Sequence, residues 1–326
     1  MSKVGITCKA SFYEGMGHVV RQTHVAKNLR NRGIELYFFI PNYPPAQNWL
    51  SQHQMPHQTL TANLTEKEMR PLDLIILDVQ NTTADFIKNI KQQNKKVVSF
   101  EDLGEGRNHV DLLVDCNLEK DSSLSAQTLF GNEYTVLAKD FETYHSKKRE
   151  FKNPAESILI TLGGTDPQSM TAHLTKKILE INSGLSINLL AGPGCRNTAI
   201  LKDLDFKNSK VHFLESTSQM AQVLFAHDSV FCTGGITLHE AMAVGTPAFV
   251  ISLVAHQLKK AITAEKYGAA INLGMFDSLE DYRLPEILKS NAKTLNHMSR
   301  AGKNLIDGKG LSRVTDAIED LLNRRG

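Results

Sequence analysis

A histidine that follows a glycine-rich loop is the first group in this sequence that could do chemistry. The loop reads Tyr-Glu-Gly-Met-Gly and leads into His18, between an apolar run at Lys3–Thr7 and a helical pattern at His18–Arg32. Glycines let a backbone come close to a ligand, and the first turn of a helix presents free N–H groups. There His18 could act as a general base. A surface histidine near a helix end is the alternative interpretation.

The spacing of the two glycines, Gly15 and Gly17, bears on the cofactor. A GxGH sequence lacks the third glycine of the dinucleotide fingerprint, so we expect no NAD cofactor. Arg21 stands one helical turn after His18 and could meet a phosphate or face solvent. On position alone, solvent is the favoured interpretation for Arg21.

A second glycine loop follows the apolar run at Ser157–Thr161. Its candidates for contact with a nucleotide or a diphosphate are Gly164 and Thr165. Asp166 and Pro167 have a simpler interpretation, because aspartate is a good N-cap and proline a good first helical residue. We therefore expect those two residues to begin a helix.

A third loop carries paired glycines before a helix, and successive N–H groups after paired glycines can cradle a diphosphate. Thr237 and Glu240 are three residues apart, which fits a capping box, while Glu240 could instead accept hydrogen bonds from a ribose diol. After the next strand, His256 and Gln257 open another helix and could reach a sugar, although a lone histidine is more often structural. The nucleotide candidates in this loop are Gly234, Gly235, Ile236, Thr237 and Glu240.

Short apolar runs alternate with helical patterns along the chain, which predicts an α/β protein with parallel sheets. In such sheets ligands bind beyond the carboxyl ends of the strands, where all these loops fall. Gly33 is expected to end the helix at His18–Arg32, and Thr82–Asn94 is a second predicted helix. The predicted strands are Lys3–Thr7, Glu35–Ile40, Asp73–Leu77, Lys96–Phe100, Leu112–Val114, Ser157–Thr161, Ser186–Leu190, Lys210–Phe213, Ser229–Phe231, Ala248–Leu253 and Ala270–Leu273.

The rhythm of strands and helices starts again in the second half, which predicts two doubly wound Rossmann-like domains, residues 1–150 and 151–326. Between them residues 139–157 are charged and poor in aliphatic side chains, as an exposed linker would be. After Leu273 the pattern is helical to Arg325, and we expect this tail to pack back onto the first domain.

Composition excludes several classes of protein. The chain has 326 residues, 37 Lys plus Arg against 35 Asp plus Glu, and four scattered cysteines without a CxxC pair. No basic stripe calls for nucleic acid or an anionic membrane, and no cysteine spacing indicates a metal site or disulfides. No apolar stretch reaches the roughly 20 residues needed to span a bilayer. We expect a cytoplasmic monomer.

Four segments together resemble the two-domain nucleotide-sugar enzymes of the GT-B fold, and most closely the PseG and SpsG group. They are GMGHVVRQTHVAKNLRNRG, LFGNEYTVLAKDF, ITLGGTDPQSMT and TGGITLHEAMAVGTPAFVISLVAHQ. The last contains an element shared with the wider superfamily, which includes MurG-like transferases. The resemblance implies two domains that face each other across a cleft, and a UDP-sugar hydrolase of the kind used in pseudaminic acid synthesis.

The resemblance also implies roles for residues. His18 is the expected catalytic residue, Gly234, Gly235 and Thr237 would hold the diphosphate of a UDP-sugar, and Glu240 would bind the ribose. Water would attack the anomeric carbon and UDP would leave, with no metal and no cofactor. The residues expected to line the sugar site are Gly15, Gly17, Arg21, Asp78, Gln80, His256 and Gln257.

Three positions depart from the usual pattern of the group. Gln80 stands where tyrosine is usual, His256 where asparagine is usual, and Gln22 where cysteine is usual. The first two would line the sugar site, so another sugar, or an acceptor other than water, is possible. The alternatives are therefore an inverting glycosyltransferase that releases UDP only with its acceptor, and a nucleotide-sugar binding protein without turnover.

Overall fold

Two compact units make up the chain. The computed structural model describes residues 1–60, 64–93, 95–116, 128–153, 155–163, 166, 169–192, 194–214, 217–279 and 281–324. One unit comprises Met1–Lys139 with Gly308–Gly326, and the other comprises Asp140–Asp307. Each unit contains one parallel sheet, and helices connect most of the successive strands in the part of the chain that the structure describes.

The first unit contains a seven-stranded sheet in the order β3-β2-β1-β4-β5-β6-β7, and all its strand pairs are parallel. Its elements are β1 Lys3–Cys8, α1 Gly17–Asn31, β2 Glu35–Pro41, α2 Pro44–Gln52, β3 His57–Leu60, α3 Glu66–Met69, β4 Leu74–Asp78, α4 Ala84–Lys91, β5 Lys96–Phe100, β6 Leu112–Asp115 and β7 Thr128–Phe130. All five predicted strands are present. The sequence did not predict β3 and β7, because these short edge strands are half exposed and lack a buried apolar run.

The second unit contains a six-stranded parallel sheet in the order β10-β9-β8-β11-β12-β13. Its elements are α5 Asp140–Ser146, β8 Ser157–Thr161, α6 Met170–Ile181, β9 Ser186–Leu190, α7 Thr198–Lys207, β10 Val211–Leu214, α8 Met220–Ala226, β11 Ser229–Cys232, α9 Ile236–Val244, β12 Ala248–Ser252, α10 Ala255–Lys266, β13 Ala270–Met275, α11 Leu284–Ile287 and α12 Ala292–Leu305. The six predicted strands are present, with small differences at their ends.

The division between the units lies before α5, earlier than the sequence indicated. The expected linker was wrong in this part, because α5 is a helix that packs on α8 and α9 and buries Phe141. Arg149 donates to the carbonyls of Phe225 and His227 at 3.0 and 2.5 Å. The segment is charged, yet Phe141 and the guanidinium of Arg149 attach it to the second unit.

The C-terminal helix α13, Gly310–Asn323, lies on the first unit and packs against α1. Leu311, Val314 and Ile318 enter the first unit's apolar core. Arg32, just after α1, pairs with Asp316 and Glu319 of α13 at 2.7 and 2.8 Å. These apolar contacts and ion pairs attach the end of the chain to the domain in which the chain began.

Each sheet has a place where two neighbouring connections diverge. In the first unit β1 continues through α1 to β2, whereas β4 continues through α4 to β5 on the other side of β1. In the second unit β8 and β11 diverge in the same way. Open α/β sheets bind ligands in the crevice at such switch points, beyond the carboxyl ends of the strands.

Candidate functional site

A tight turn leads from β1 into α1 and places His18. The Gly15 N–H donates to the Ser11 carbonyl at 2.9 Å, and Gly15 has φ of +78°, which glycine adopts without steric cost. Gly17 is the first residue of α1 and His18 the second, and no described side chain caps this helix. His18 therefore lies in the first turn of α1, as the glycine pattern predicted.

His18 is held by Asp78, the last residue of β4. The Nδ1 atom of His18 lies 2.7 Å from Oδ1 of Asp78. The two residues meet because β4 pairs with β1, with Cys8 opposite Asp78, at the switch point where α1 begins. Asp78 is 0% exposed, and 14% of the His18 side chain is exposed. One group is therefore enclosed, and the other reaches the surface of the unit.

Two further side chains of α1 occupy the same carboxylate. Arg21 donates from Nε to Oδ2 at 3.0 Å and from Nη2 to Oδ1 at 2.7 Å, and Gln22 donates from Nε2 to Oδ2 at 2.8 Å. Arg21 also pairs through Nη1 with Oε2 of Glu101 at 3.0 Å. Four donor atoms thus meet the two oxygens of one buried aspartate.

These contacts correct the expectations for Arg21 and Asp78. Solvent was the favoured interpretation for Arg21, and the resemblance implied that both residues line a sugar site. Instead Arg21 is 8% exposed and both oxygens of Asp78 are engaged by protein donors. The carboxylate at the end of β4 attracts the guanidinium inward, and together they orient His18.

The charges in this cluster determine which ring nitrogen of His18 carries hydrogen. Burial alone would raise the pKa of Asp78, but Arg21 and His18 outweigh it and lower that pKa to about 2. Burial likewise opposes the charge of Arg21, yet Asp78 and Glu101 raise its pKa well above its ordinary value. Because an ionised carboxylate only accepts hydrogen bonds, Nδ1 of His18 must donate. In the neutral imidazole Nε2 is then the nitrogen that can accept a proton.

Gln80 and a pocket lie at the same sheet edge. Gln80 is half-buried, and its carbonyl accepts a hydrogen bond from the Leu103 N–H at 2.6 Å, which joins the loops after β4 and β5. A pocket of about 540 Å³ opens beyond the ends of β1 to β4. Its apolar wall includes Phe39, Leu60 and Phe86. Polar groups of its lining are Thr7, Lys9, Ser11, Glu14, Asn81, Thr82 and Thr83.

In the second unit the loops after β8 and β11 lie side by side. Gly163 has φ of +88°, and a Cβ there would stand 3.7 Å from Oγ1 of Thr233. Asp166 accepts hydrogen bonds from the backbone N–H groups of Met170 and Thr171 at 2.8 and 3.2 Å, so its side chain satisfies the first N–H groups of α6. The prediction that Asp166 is the N-cap is wrong, because α6 begins at Met170 and Ser169 is its N-cap. The predicted ligand contacts Gly164 and Thr165, and also Pro167, lie outside the described residues.

The start of α9 differs from α6 because its N-terminus is open. Gly235 is the N-cap, Ile236 is the first helical residue, and no described side chain caps the helix. The predicted capping box is therefore wrong, since Thr237 lies inside the helix. Burial raises the pKa of Glu240 to about 7, a hydrogen bond from Thr237 opposes this shift, and Asp140 adds to it. Because no described side chain caps α9, its first backbone N–H groups can donate to an anionic ligand.

Gln257 and Gly234 bring the loops after β11 and β12 together. A Cβ on Gly234 would stand 2.3 Å from the carbonyl oxygen of Gln257, so only glycine fits there. The side-chain oxygen of Gln257 accepts the Leu253 N–H at 2.9 Å, which leaves its NH₂ group as the part that can turn to a ligand. His256 is the second residue of α10 and is exposed. The structure therefore gathers the predicted residues of these two loops at one sheet edge.

Replacing Gly234 by alanine is expected to lower the free energy of unfolding by about 1–3 kcal/mol, the usual cost of overpacking. The new methyl group would meet backbone atoms of Gln257, which cannot move aside as a flexible side chain can. Gly235→Ala is the matched control, because its Cβ would stand 3.5 Å from the nearest atom, Oγ1 of Thr233, at φ of −90°. Denaturant titration measures both, and equal stabilities would contradict the close approach.

Sequence reasoning missed Gln22 and Glu101 as members of the cluster. Gln22 was noted only as a departure from the usual cysteine, and Glu101 was given no role. A local signal was present for Gln22: His18, Arg21 and Gln22 are three and four residues apart, so a helix places them on one face. Glu101 had no such signal, because only the pairing of β4 with β5 brings it near Arg21.

The fold and the glycine loops define a protein of the GT-B type. MurG of Acinetobacter baumannii matches with a TM-score of 0.68 at 13% identity, over 98% of this chain and 100% of MurG. Spinosyn rhamnosyltransferase SpnG complexed with thymidine diphosphate matches with a TM-score of 0.66 at 14% identity, over 99% and 100% of the two chains. The predicted fold class, two doubly wound α/β domains of GT-B type, is confirmed.

The chain is also similar in sequence, along nearly its whole length, to a protein of the PseG and SpsG group. It is 26% identical to the spore coat polysaccharide biosynthesis protein SpsG of Bacillus subtilis, over 98% of each chain. The predicted resemblance to SpsG-like proteins is thereby confirmed. No family model matches the chain. Among the described residues, no helix is long and apolar enough to cross a membrane.

Proposed function

We propose that this protein is a hydrolase that removes UDP from a UDP-linked deoxy amino sugar during synthesis of a bacterial surface sugar of the pseudaminic acid kind. The observation that carries the proposal is the hydrogen bond between Nδ1 of His18 and Asp78. It leaves Nε2 as the proton acceptor, the arrangement that a general base requires. The cytoplasm, where sugar nucleotides are made, is its proposed location.

In the proposed reaction His18 takes a proton from water at Nε2 while the water oxygen attacks the anomeric carbon. The bond between that carbon and the diphosphate oxygen breaks, the electron pair leaves with UDP, and the sugar inverts at this carbon. Asp78 keeps its charge throughout and stabilises the imidazolium that forms.

The second unit would bind the nucleotide. The open N-terminus of α9 supports this role, since Gly234, Gly235, Ile236 and Thr237 place N–H groups where a diphosphate can accept them. Glu240 would accept hydrogen bonds from the ribose. The remaining proposed contacts are Gly164 and Thr165 to the nucleotide, and Gly15, Gly17, Gln80, His256 and Gln257 to the sugar.

The relatives support the broader assignment, which is an enzyme that acts on a nucleotide-linked sugar. SpsG is named for spore coat polysaccharide biosynthesis, and SpnG is a rhamnosyltransferase with thymidine diphosphate bound. SpnG with its bound thymidine diphosphate fits a chain that handles a sugar joined to a pyrimidine nucleoside diphosphate, and the name of SpsG fits a place in polysaccharide synthesis.

An inverting glycosyltransferase is the second candidate, and the pocket in the first unit favours it. A volume of about 540 Å³ with an apolar wall is far larger than an attacking water needs. In this alternative His18 would deprotonate an acceptor hydroxyl instead of water, with the other roles unchanged.

The experiment that tests the proposal is UDP release from a panel of UDP-linked amino sugars in water enriched in oxygen-18, without any acceptor. We expect release with the label on the sugar, because the carbon–oxygen bond breaks. Label on UDP would contradict attack at carbon. If UDP is released only after an acceptor is added, the protein is a glycosyltransferase and not a hydrolase. If the protein binds UDP but releases none from any UDP-sugar, with or without an acceptor, it is a nucleotide-sugar binding protein without turnover.

A further inference from the structure

A buried group of residues behind His18 has no role in the proposed reaction itself. We propose that Arg21, Gln22 and Glu101 are positioning residues which, through Asp78, hold His18 in the tautomer that leaves Nε2 able to accept a proton. This inference rests on the proposed function of His18 as the base, and its test includes a measurement that needs no substrate.

Arg21 holds the carboxylate in a fixed orientation. Its Nε and Nη2 atoms donate to different oxygens of Asp78, at 3.0 and 2.7 Å, so the carboxylate plane cannot turn without breaking one bond. Only a planar guanidinium offers this two-point contact, because lysine provides a single point charge. Besides Nη2 of Arg21, Oδ1 also contacts Nδ1 of His18, at 2.7 Å.

Gln22 supplies a donor at a structural cost. It is 0% exposed, and its Oε1 atom is buried without a hydrogen-bond partner among the residues that the structure describes. A buried acceptor left without its hydrogen bond destabilises the folded state. An apolar side chain of similar volume would fill this place without that cost. What Gln22 adds is the Nε2 donor to Oδ2 of Asp78, a further contact that fixes the carboxylate in place.

Glu101 fixes Arg21 from the opposite side. Its carboxylate lies 3.0 Å from Nη1 of Arg21, and the guanidinium lies over the ring of Phe100 at 5.5 Å. Glu101 has φ of +45°, a left-handed conformation that is unfavourable for a residue with a Cβ. Such strain persists where the surroundings determine the backbone and clusters at functional sites. The strained residue follows β5 directly and aims its carboxylate at the guanidinium.

The test compares Arg21→Lys and Gln22→Met with two matched controls in the first unit, Arg30→Lys on the same helix and Gln47→Met on α2. We expect kcat for UDP release to fall about 10–100-fold in the first two variants. This is the range known for residues that orient a metal-binding side chain through a hydrogen bond. KM should change little, since neither side chain reaches the substrate. Gln22→Met should remain folded, because it also removes the unsatisfied Oε1.

The second readout is the nitrogen-15 NMR spectrum of the histidine rings. The resonances of His18 are those that disappear in His18→Ala. We expect the wild type to show hydrogen on Nδ1, and Arg21→Lys and Gln22→Met to show a mixture of tautomers that the controls do not.

The outcomes separate the two proposals. A single Nδ1–H tautomer and full kcat in both variants would overturn the positioning role. If the wild type releases no UDP from any sugar while both variants still lose the tautomer, the hydrolase is wrong and the positioning network stands. A drop in kcat without any change of tautomer would also overturn the inference, because the loss would then have another cause.

Discussion

His18→Ala is expected to lower kcat for UDP release on the order of 10²–10⁴-fold, the contribution usual for a positioned general base. The dissociation constant for UDP should change little, because the proposed diphosphate contacts lie at the start of α9 in the second unit. Steady-state release assays and titration calorimetry with UDP measure the two effects separately.

His18→Gln sharpens this prediction, because glutamine can donate to Asp78 but cannot take up a proton at neutral pH. We expect it to be as inactive as His18→Ala. His57→Ala is the control: His57 is another half-buried histidine of the first unit, at the start of β3, away from the carboxyl edge of the sheet. Full turnover in His18→Ala, or equal losses in the control, would remove His18 from the mechanism.

Asp78→Ala is expected to lower the free energy of unfolding by about 3–5 kcal/mol, the usual cost of removing one partner of a buried ion pair. Arg21 would keep its charge in a buried place and would lose the acceptor of two of its hydrogen bonds. Asp316→Ala is the matched control, since Asp316 also pairs with an arginine but its side chain is 62% exposed, and exposed pairs contribute at most ~1 kcal/mol. Similar losses in both variants would show that the Asp78 cluster contributes no more than a surface pair.

Asp78→Asn separates stability from catalysis. Asparagine keeps the shape, but it replaces one carboxylate oxygen by an NH₂ group, which donates. Where this NH₂ group faces Nδ1 of His18, Nδ1 must accept and the hydrogen moves to Nε2. We expect kcat to fall by a factor similar to that of His18→Ala, because the wrong tautomer offers no base. The double variant His18→Ala with Asp78→Asn should be no less active than either single variant, since the two residues act as one unit.

The stability that Asp78 provides should also depend on pH. Its pKa in the folded protein is about 2, below the ordinary value of 3.8, so the ionised form stabilises the fold above about pH 4. This contribution is lost as the pH falls from about 4 towards 2, when Asp78 takes up a proton. Asp78→Asn should lack this part of the acid transition, and unfolding curves at several pH values would detect the difference.

Much of the fold could be predicted from the sequence because its signals are local. The buried apolar run Leu-Ile-Ile-Leu of β4 and the alternation of such runs with helical patterns indicated parallel sheets. Gly33, with φ of +84°, ends α1 as expected. The edge strands β3 and β7 could not be predicted, because edge strands have no continuous buried run. The boundary near residue 150 was misplaced, because the charged surface of α5 concealed the burial of Phe141.

The sequence by itself determined that this chain forms two parallel α/β units, and that its glycine loops fall at the carboxyl ends of strands, since chain periodicity and glycine geometry act over a few residues. It also placed His18 in the first turn of a helix. Only the tertiary structure decided what His18 touches. Asp78 is 60 positions away along the chain, and the pairing of β4 with β1 brings its carboxylate to Nδ1. A buried carboxylate requires hydrogen-bond donors, and Asp78 accepts them from His18, Arg21 and Gln22. Arg21 and Asp78, which were expected to line the sugar site, therefore orient the proposed base.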